Sequence, residues 1–328
     1  MLTLGVVTVA AAVGVPLALN LTGDEDDGSL RFDAPDSESG VSDVVISPNG
    51  KILAGRCDEF VQLWDTRTRQ SLGKLPVSNL SWVHTLAFSR DSRMVAAGTD
   101  DSVVHLWSTT TRRSLAVLEA KDTWGIKSIG IAPDGNRVYG NDGNVVWVWN
   151  RLDKQPSGSL RPTGPTGLEL KYSALAPDGK TLAVACGNGT VSLMSTATRR
   201  ETTRIVCESV ITQLAFSTDG KILAGIGDRE ESVLLWDVPH AADKNPVIGS
   251  LTHTHSSPTA LAFGSGGKTV AVAYDDDTIR LWGVSSRRVT KTITLSSDES
   301  ATQGLAFSTD GAFLAVTRNG SGHLWNLR

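Results

Sequence analysis

The sequence predicts an all-β protein, a seven-bladed β-propeller of four-stranded antiparallel blades, closed by an N-terminal strand and preceded by a segment apolar enough for a transmembrane helix. Two in-phase repeats carry the propeller. A Leu-Trp-Asp-like element is centred on Trp64, Trp107, Trp149, Met194, Trp236, Trp282 and Trp325, at intervals of 43, 42, 45, 42, 46 and 43 residues. A polar turn element keeps the same beat about 15 residues earlier, as in Ser47-Pro48-Asn49-Gly50, Ser89-Arg90-Asp91-Ser92, Ala176-Pro177-Asp178-Gly179 and Ser308-Thr309-Asp310-Gly311. Four-stranded units of this length, stacked side by side, form propeller blades.

The elements follow in order along the chain. Residues 1–23 carry no charged side chain, and as a helix they would extend about 34 Å, enough to cross a bilayer. No basic start precedes them and no small-x-small cleavage site follows, so residues 1–22 read as an anchor or uncleaved signal. Residues 23–28 are an acidic linker without Lys or Arg. Cytoplasmic flanks carry the positive excess, which places the propeller, residues 29–328, outside the cytoplasm on this reading. Within unit two, Thr85–Phe88, Met94–Ala97, Val103–Trp107 and Ser114–Leu118 are four apolar runs separated by polar turns. Asp-Gly and Asn-Gly between such runs mark hairpins, because those turns need positive φ.

This pattern resembles the WD40-repeat family over residues 41–328. The resemblance implies that each sequence repeat opens with the outer strand of one blade and supplies the inner three strands of the next. The last copy stops at Trp325-Asn326-Leu327-Arg328, before any outer strand. Ser29-Leu30-Arg31-Phe32 stands twelve residues ahead of Val41, as Ser71-Leu72-Gly73-Lys74 stands twelve ahead of Val83. Residues 29–33 are therefore expected to complete blade seven. The family's repeat Trp is kept as Trp64, Trp107, Trp149, Trp236, Trp282 and Trp325, and its turn acid as Asp58, Asp101 and Asp276. Its Gly-His dipeptide is missing ahead of the innermost strands, and Ala97 stands at a position the family fills with Ser or Thr. Stability should then rest more on apolar packing between blades.

Composition and motifs exclude several chemistries. Lys plus Arg number 31 against 35 Asp plus Glu, a net charge of −4, which argues against a nucleic-acid binder. Cys57, Cys186 and Cys207 form neither a disulfide framework nor a CxxC pair. Gly264-Ser265-Gly266-Gly267-Lys268-Thr269 lacks the earlier Gly of a phosphate loop, Ala262 standing there. His253-Thr254-His255, with His240 nearby, is too small a set for a structural metal site. Catalytic residues, metal ligands and cofactors are assigned to none of the chain.

Trp82 and Trp124 fall outside the repeat phase and precede the innermost strands of blades two and three. The resemblance implies that such connections face the top of the disc, where partners bind, so both are partner-binding candidates. His84, Lys127, Glu169, Lys171 and Tyr172 are the neighbouring rim candidates. The function implied is a non-catalytic scaffold that docks a protein or peptide, membrane-tethered and of bacterial character in its Ala-, Val- and Asp-rich usage. The competing classes are a lactonase- or hydrolase-like propeller enzyme and a ligand-binding propeller. An enzyme would use channel acids or histidines and a metal; the few histidines and the turn-phase acids favour the scaffold.

Overall fold

The computed structural model describes residues 30–34, 37–77, 81–120, 125–165, 167–228, 232–241, 246–295 and 302–327. Seven four-stranded antiparallel sheets follow one another around the disc. In blade two the strands run Val83–Phe88, Met94–Thr99, Val103–Ser108 and Ser114–Glu119, from the channel outward, close to the boundaries read from the sequence. Blade seven takes its three inner strands from the C-terminal end and its outer strand, Leu30–Phe32, from the other end of the chain. Leu30 pairs with Leu324, Arg31 with His323 and Phe32 with Gly322. The ring closes without an open sheet between first and last blades, which removes an edge that would template aggregation. Residues 1–22 and the linker 23–28 lie outside the described residues; among the described ones, no helix is long and apolar enough to cross a membrane.

The turn between the first and second strands of a blade explains the Ser-x-Asp-Gly element. The Ser89 hydroxyl donates to the Asp91 carboxylate at 2.6 Å and accepts from the Met94 amide at 2.9 Å. Asp91 in turn accepts from the Arg93 amide at 3.0 Å. Ser217 with Asp219 and Ser308 with Asp310 repeat the arrangement, each pair at 2.7 Å. One side chain pair thus satisfies two backbone donors at the tightest point of the hairpin, as Asx- and ST-turn chemistry does elsewhere. The Ser217 hydroxyl holds the Asp219 carboxyl below its ordinary range.

There is no single central core. Seven apolar clusters lie one at each seam between neighbouring blades. Each repeat Trp packs backward onto the preceding blade: Trp107 joins Leu63 and Leu75, and Trp149 joins Leu106 and Leu118. Met194 takes the same place between blades three and four and is fully buried. An unbranched thioether fills the site of an indole because it adapts its shape to the gap. The Trp325 indole nitrogen has no hydrogen-bond partner among the described residues. The Trp149 indole donates to the Glu119 carbonyl at 3.1 Å, and each repeat indole packs within the apolar cluster of its seam.

Blade six keeps part of that network. His253 lies 3.2 Å from the Asp276 carboxylate, 2.6 Å from an Arg280 guanidinium nitrogen, and edge-on to the Tyr274 ring. His253 is therefore a structural side chain, and His240 bonds separately to Asp237 at 3.1 Å. Gly264–Thr269 forms a tight turn, with Gly266 and Gly267 at positive φ, that enters the strand Thr269–Tyr274.

Candidate functional site

The upper face of the disc carries the connections between blades and the turns between second and third strands. Among the described residues, three of these connections are fixed by a reciprocal clamp. The Asp100 carboxylate accepts from the Trp82 amide at 2.9 Å, while the Asp100 amide donates to the Trp82 carbonyl at 3.0 Å. Asp228 clamps Val210 and Asp275 clamps Ser257 in the same way. Asp58 accepts from the Ser37 hydroxyl at 2.8 Å and the Ser39 amide at 3.1 Å. The family-derived turn acids Asp101 and Asp276 instead tie their own turns, to Thr99 and Thr278, both at 2.5 Å. Sequence reading missed the clamping role of Asp100 and Asp275, although the adjacent acids Asp100-Asp101 and Asp275-Asp276 were the visible signal.

With its backbone so held, Trp82 projects its indole into solvent and is 55% exposed, the one repeat-independent tryptophan displayed among the described residues. Trp147 differs: it is half-buried and donates its indole N–H to Asp142 at 2.7 Å. Trp124 lies outside the described residues. His84, two residues beyond Trp82, is exposed at the channel mouth. Partial burial and the Arg56 charge lower its pKa against the opposing pull of Asp100.

Ser42, His84, Lys127, Lys171, Thr212, Thr259 and Gln303 hold equivalent places near the start of the seven inner strands, and all are exposed or half-buried. They ring the upper mouth of the channel with polar side chains, two of them ammonium groups. Glu169 bridges both: it lies 3.5 Å from Lys127 and 2.7 Å from Lys171. The Lys171 hydrogen bond holds the Glu169 carboxyl below its ordinary range. Three of the rim candidates therefore form one ion triad across the seam between blades three and four. Such exposed pairs add little to stability, which leaves their side chains available to a partner.

Tyr172 departs from the rim expectation. One residue further along the strand, its side chain turns into the channel and lines a cavity that opens on the lower face. The period-2 alternation of a strand sends neighbours 171 and 172 in different directions. Asp43, at the equivalent level of blade one, also enters the channel. Burial pushes its carboxyl up to about 6 despite the Arg56 charge, and burial plus the Asp43 charge push Tyr172 up to about 12. The sequence signal for Asp43 was an acid where other blades place Thr85, Ser128 or Gln213. Among the described residues, no three His, Cys, Asp or Glu side chains gather as metal ligands.

Comparison with known proteins agrees with this architecture. The family described as "WD domain, G-beta repeat" matches residues 27–65, 70–108 and 246–283. The first match spans the closing strand and the inner three strands of blade one, the offset between repeat and blade noted in the sequence. A search of curated proteins finds no match. Among solved structures, the chain is similar to the Cps50 (Swd1) beta-propeller domain of Myceliophteria thermophila, with a TM-score of 0.78 at 15% identity, covering 90% of this chain and 99% of that one. At that identity the likeness speaks for the fold. The chain thus carries WD40 repeats over those three segments and folds as a seven-bladed β-propeller.

Proposed function

We propose that the chain is a non-catalytic scaffold that docks a protein or peptide segment on the upper face of the propeller, at the rim of blades two to four. The observation that carries this reading is the exposed Trp82 indole on a backbone immobilised by Asp100. A rigid, displayed aromatic supplies large contact area at low entropic cost, as interface anchors do. His84 and the Lys127–Glu169–Lys171 triad supply the polar margin that surrounds such anchors. WD40 propellers as a class serve protein interaction, which fits a disc whose seams are sealed and whose upper face is clamped.

Residues 1–22 would tether this scaffold to a membrane, with the acidic linker as spacer and the propeller outside the cytoplasm. Protease shaving of intact cells should then cleave the 40–328 region; its survival under conditions that degrade a known surface protein would refute the placement. Docking is tested by crosslinked capture from native membranes with wild type and Trp82→Ala, both confirmed as folded by thermal melting. A specific partner retained by wild type and lost by the variant supports the upper-face site. Equal capture by both would place the contact elsewhere and overturn the role given to Trp82.

A further inference from the structure

We propose that the lower end of the central channel binds a small amphipathic carboxylic acid, its carboxylate held by Arg90 and its apolar body seated among Phe88, Leu175 and Phe216. This site lies at the opposite end of the channel from the docking rim and does not depend on it.

The cavity has a volume of about 540 Å³, within the range of pockets that enclose small organic ligands. Ala87, Gly130 and Ala174 occupy equivalent positions on blades two, three and four, and all three line the cavity. One residue further on, Phe88, Leu175 and Phe216 remain only half-buried, with apolar surface turned to the cavity. Apolar walls of this kind favour a ligand with a hydrocarbon or aromatic body, by the area it removes from water.

The charge of the ligand is set at the mouth. Arg90 leaves the first turn of blade two and donates from Nη1 to the Pro177 carbonyl of blade four at 3.0 Å, passing over blade three. That single bond holds the guanidinium across the opening and leaves its other N–H donors for a second acceptor. No Asp or Glu lines the cavity, and among the described residues Arg90 has no ion-pair partner. A cation at the mouth and no carboxylate among the lining residues fit a monoanion, and the planar fork of a guanidinium matches a carboxylate. A polyphosphate would call for several cations, and none accompanies Arg90 here. Tyr172 also lines the cavity, with the Asp43 charge acting on it from blade one.

The test is titration calorimetry with 2-naphthoate as probe and 2-naphthalenemethanol as its neutral counterpart, using the full chain. Wild type should bind one equivalent of 2-naphthoate and bind the alcohol about tenfold more weakly or worse, as loss of a charge-assisted contact implies. Arg90→Gln, an exposed turn substitution, should melt with wild type and lose naphthoate affinity to the level of the alcohol. Ala174→Phe should fill the cavity and abolish binding of both compounds. Absence of saturable 2-naphthoate binding overturns the proposal, as does wild-type affinity in folded Arg90→Gln or in folded Ala174→Phe. Should Ala174→Phe fail to fold, the Arg90→Gln and neutral-probe comparisons still decide.

Discussion

The Phe32 ring lies against Gly322, in the place where a side chain at 322 would begin, and meets Trp64 of blade one at a ring-centroid distance of 5.0 Å. One residue of the closing strand therefore joins three parts of the fold: its own strand, the C-terminal strand beside it, and the neighbouring blade.

Deleting residues 29–33 is expected to lower the melting temperature by opening blade seven and exposing the 321–326 strand as an edge. Phe32→Ala should cost about 3 kcal/mol, in the range for a buried aromatic removed from a core. Gly322→Val should also destabilise, because the new side chain and Phe32 need the same space. Denaturant midpoints of the three variants measure this; an unchanged midpoint for the deletion would show that the strand contributes nothing to closure.

Three seams share an arginine clasp at the outer margin. Arg112, Arg199 and Arg287 sit at turn positions with φ of 58°, 58° and 53° and donate to Leu72, Ser157 and Ile248 carbonyls of the preceding blade at 2.7, 2.9 and 2.8 Å. Arg287 crosses directly over Gly249, which has φ of 152° and leaves no room for a Cβ. Gly249→Ala should cost about 1 kcal/mol or more through combined backbone strain and displacement of the guanidinium. Arg287→Ala should cost less on its own, about 0.5–1.5 kcal/mol for one lost hydrogen bond. A double-mutant cycle should show the two costs coupled; strict additivity would show that Arg287 does not depend on Gly249.

Asp43 gives a pH signature with a definite sign. Its folded-state pKa, pushed up to about 6, exceeds the ordinary 3.8, so the native protein holds a proton that the unfolded chain has released. Between those values stability rises as pH falls, by about 1–3 kcal/mol for a shift of this size. Asp91 and Asp219, whose carboxyls are held low, act in the opposite sense: their contribution is present above the ordinary carboxylate range and lost as pH falls below it. Asp43→Asn should raise the melting temperature at about pH 8 and leave it unchanged at about pH 4, since only the charged form is penalised. Equal effects at both values would assign Asp43 a packing role instead.

The three thiols should react in a set order. Cys57 and Cys186 are fully buried, and burial pushes the Cys57 thiol up to about 12 and raises Cys186 as well. Cys207 is half-buried. Iodoacetamide followed by peptide mass mapping should modify Cys207 in the native protein and all three only after denaturation, because the thiolate is the reactive form. Native labelling of Cys57 ahead of Cys207 would contradict the placement of blade one's second strand.

Blade number, strand boundaries and the closing strand were legible because each rests on local chemistry repeated in phase. A polar turn related to Ser-x-Asp-Gly is written in four consecutive residues, and its recurrence in phase across seven units removes the ambiguity that a single copy would carry. The rim was legible in part. Trp82 and the Lys127–Glu169–Lys171 cluster stood out as residues outside the repeat phase or beside it. Tyr172 was misplaced by one residue of strand alternation, a step that moves a side chain from the rim into the channel. The clamps made by Asp100 and Asp275 were hidden because both acids of each pair suit a turn equally well.

The sequence by itself determined the propeller, its seven blades and the strand that closes it, since those follow from period, turn chemistry and the offset between repeat and blade. Tertiary structure alone decided what meets across the axis. Asp43 acts on Tyr172 from the opposite side of the channel, and Arg90 reaches Pro177 two blades away. Residues 87 and 129 positions apart in the chain approach only when the ring closes, and no local pattern encodes a distance set by the curvature of the whole disc.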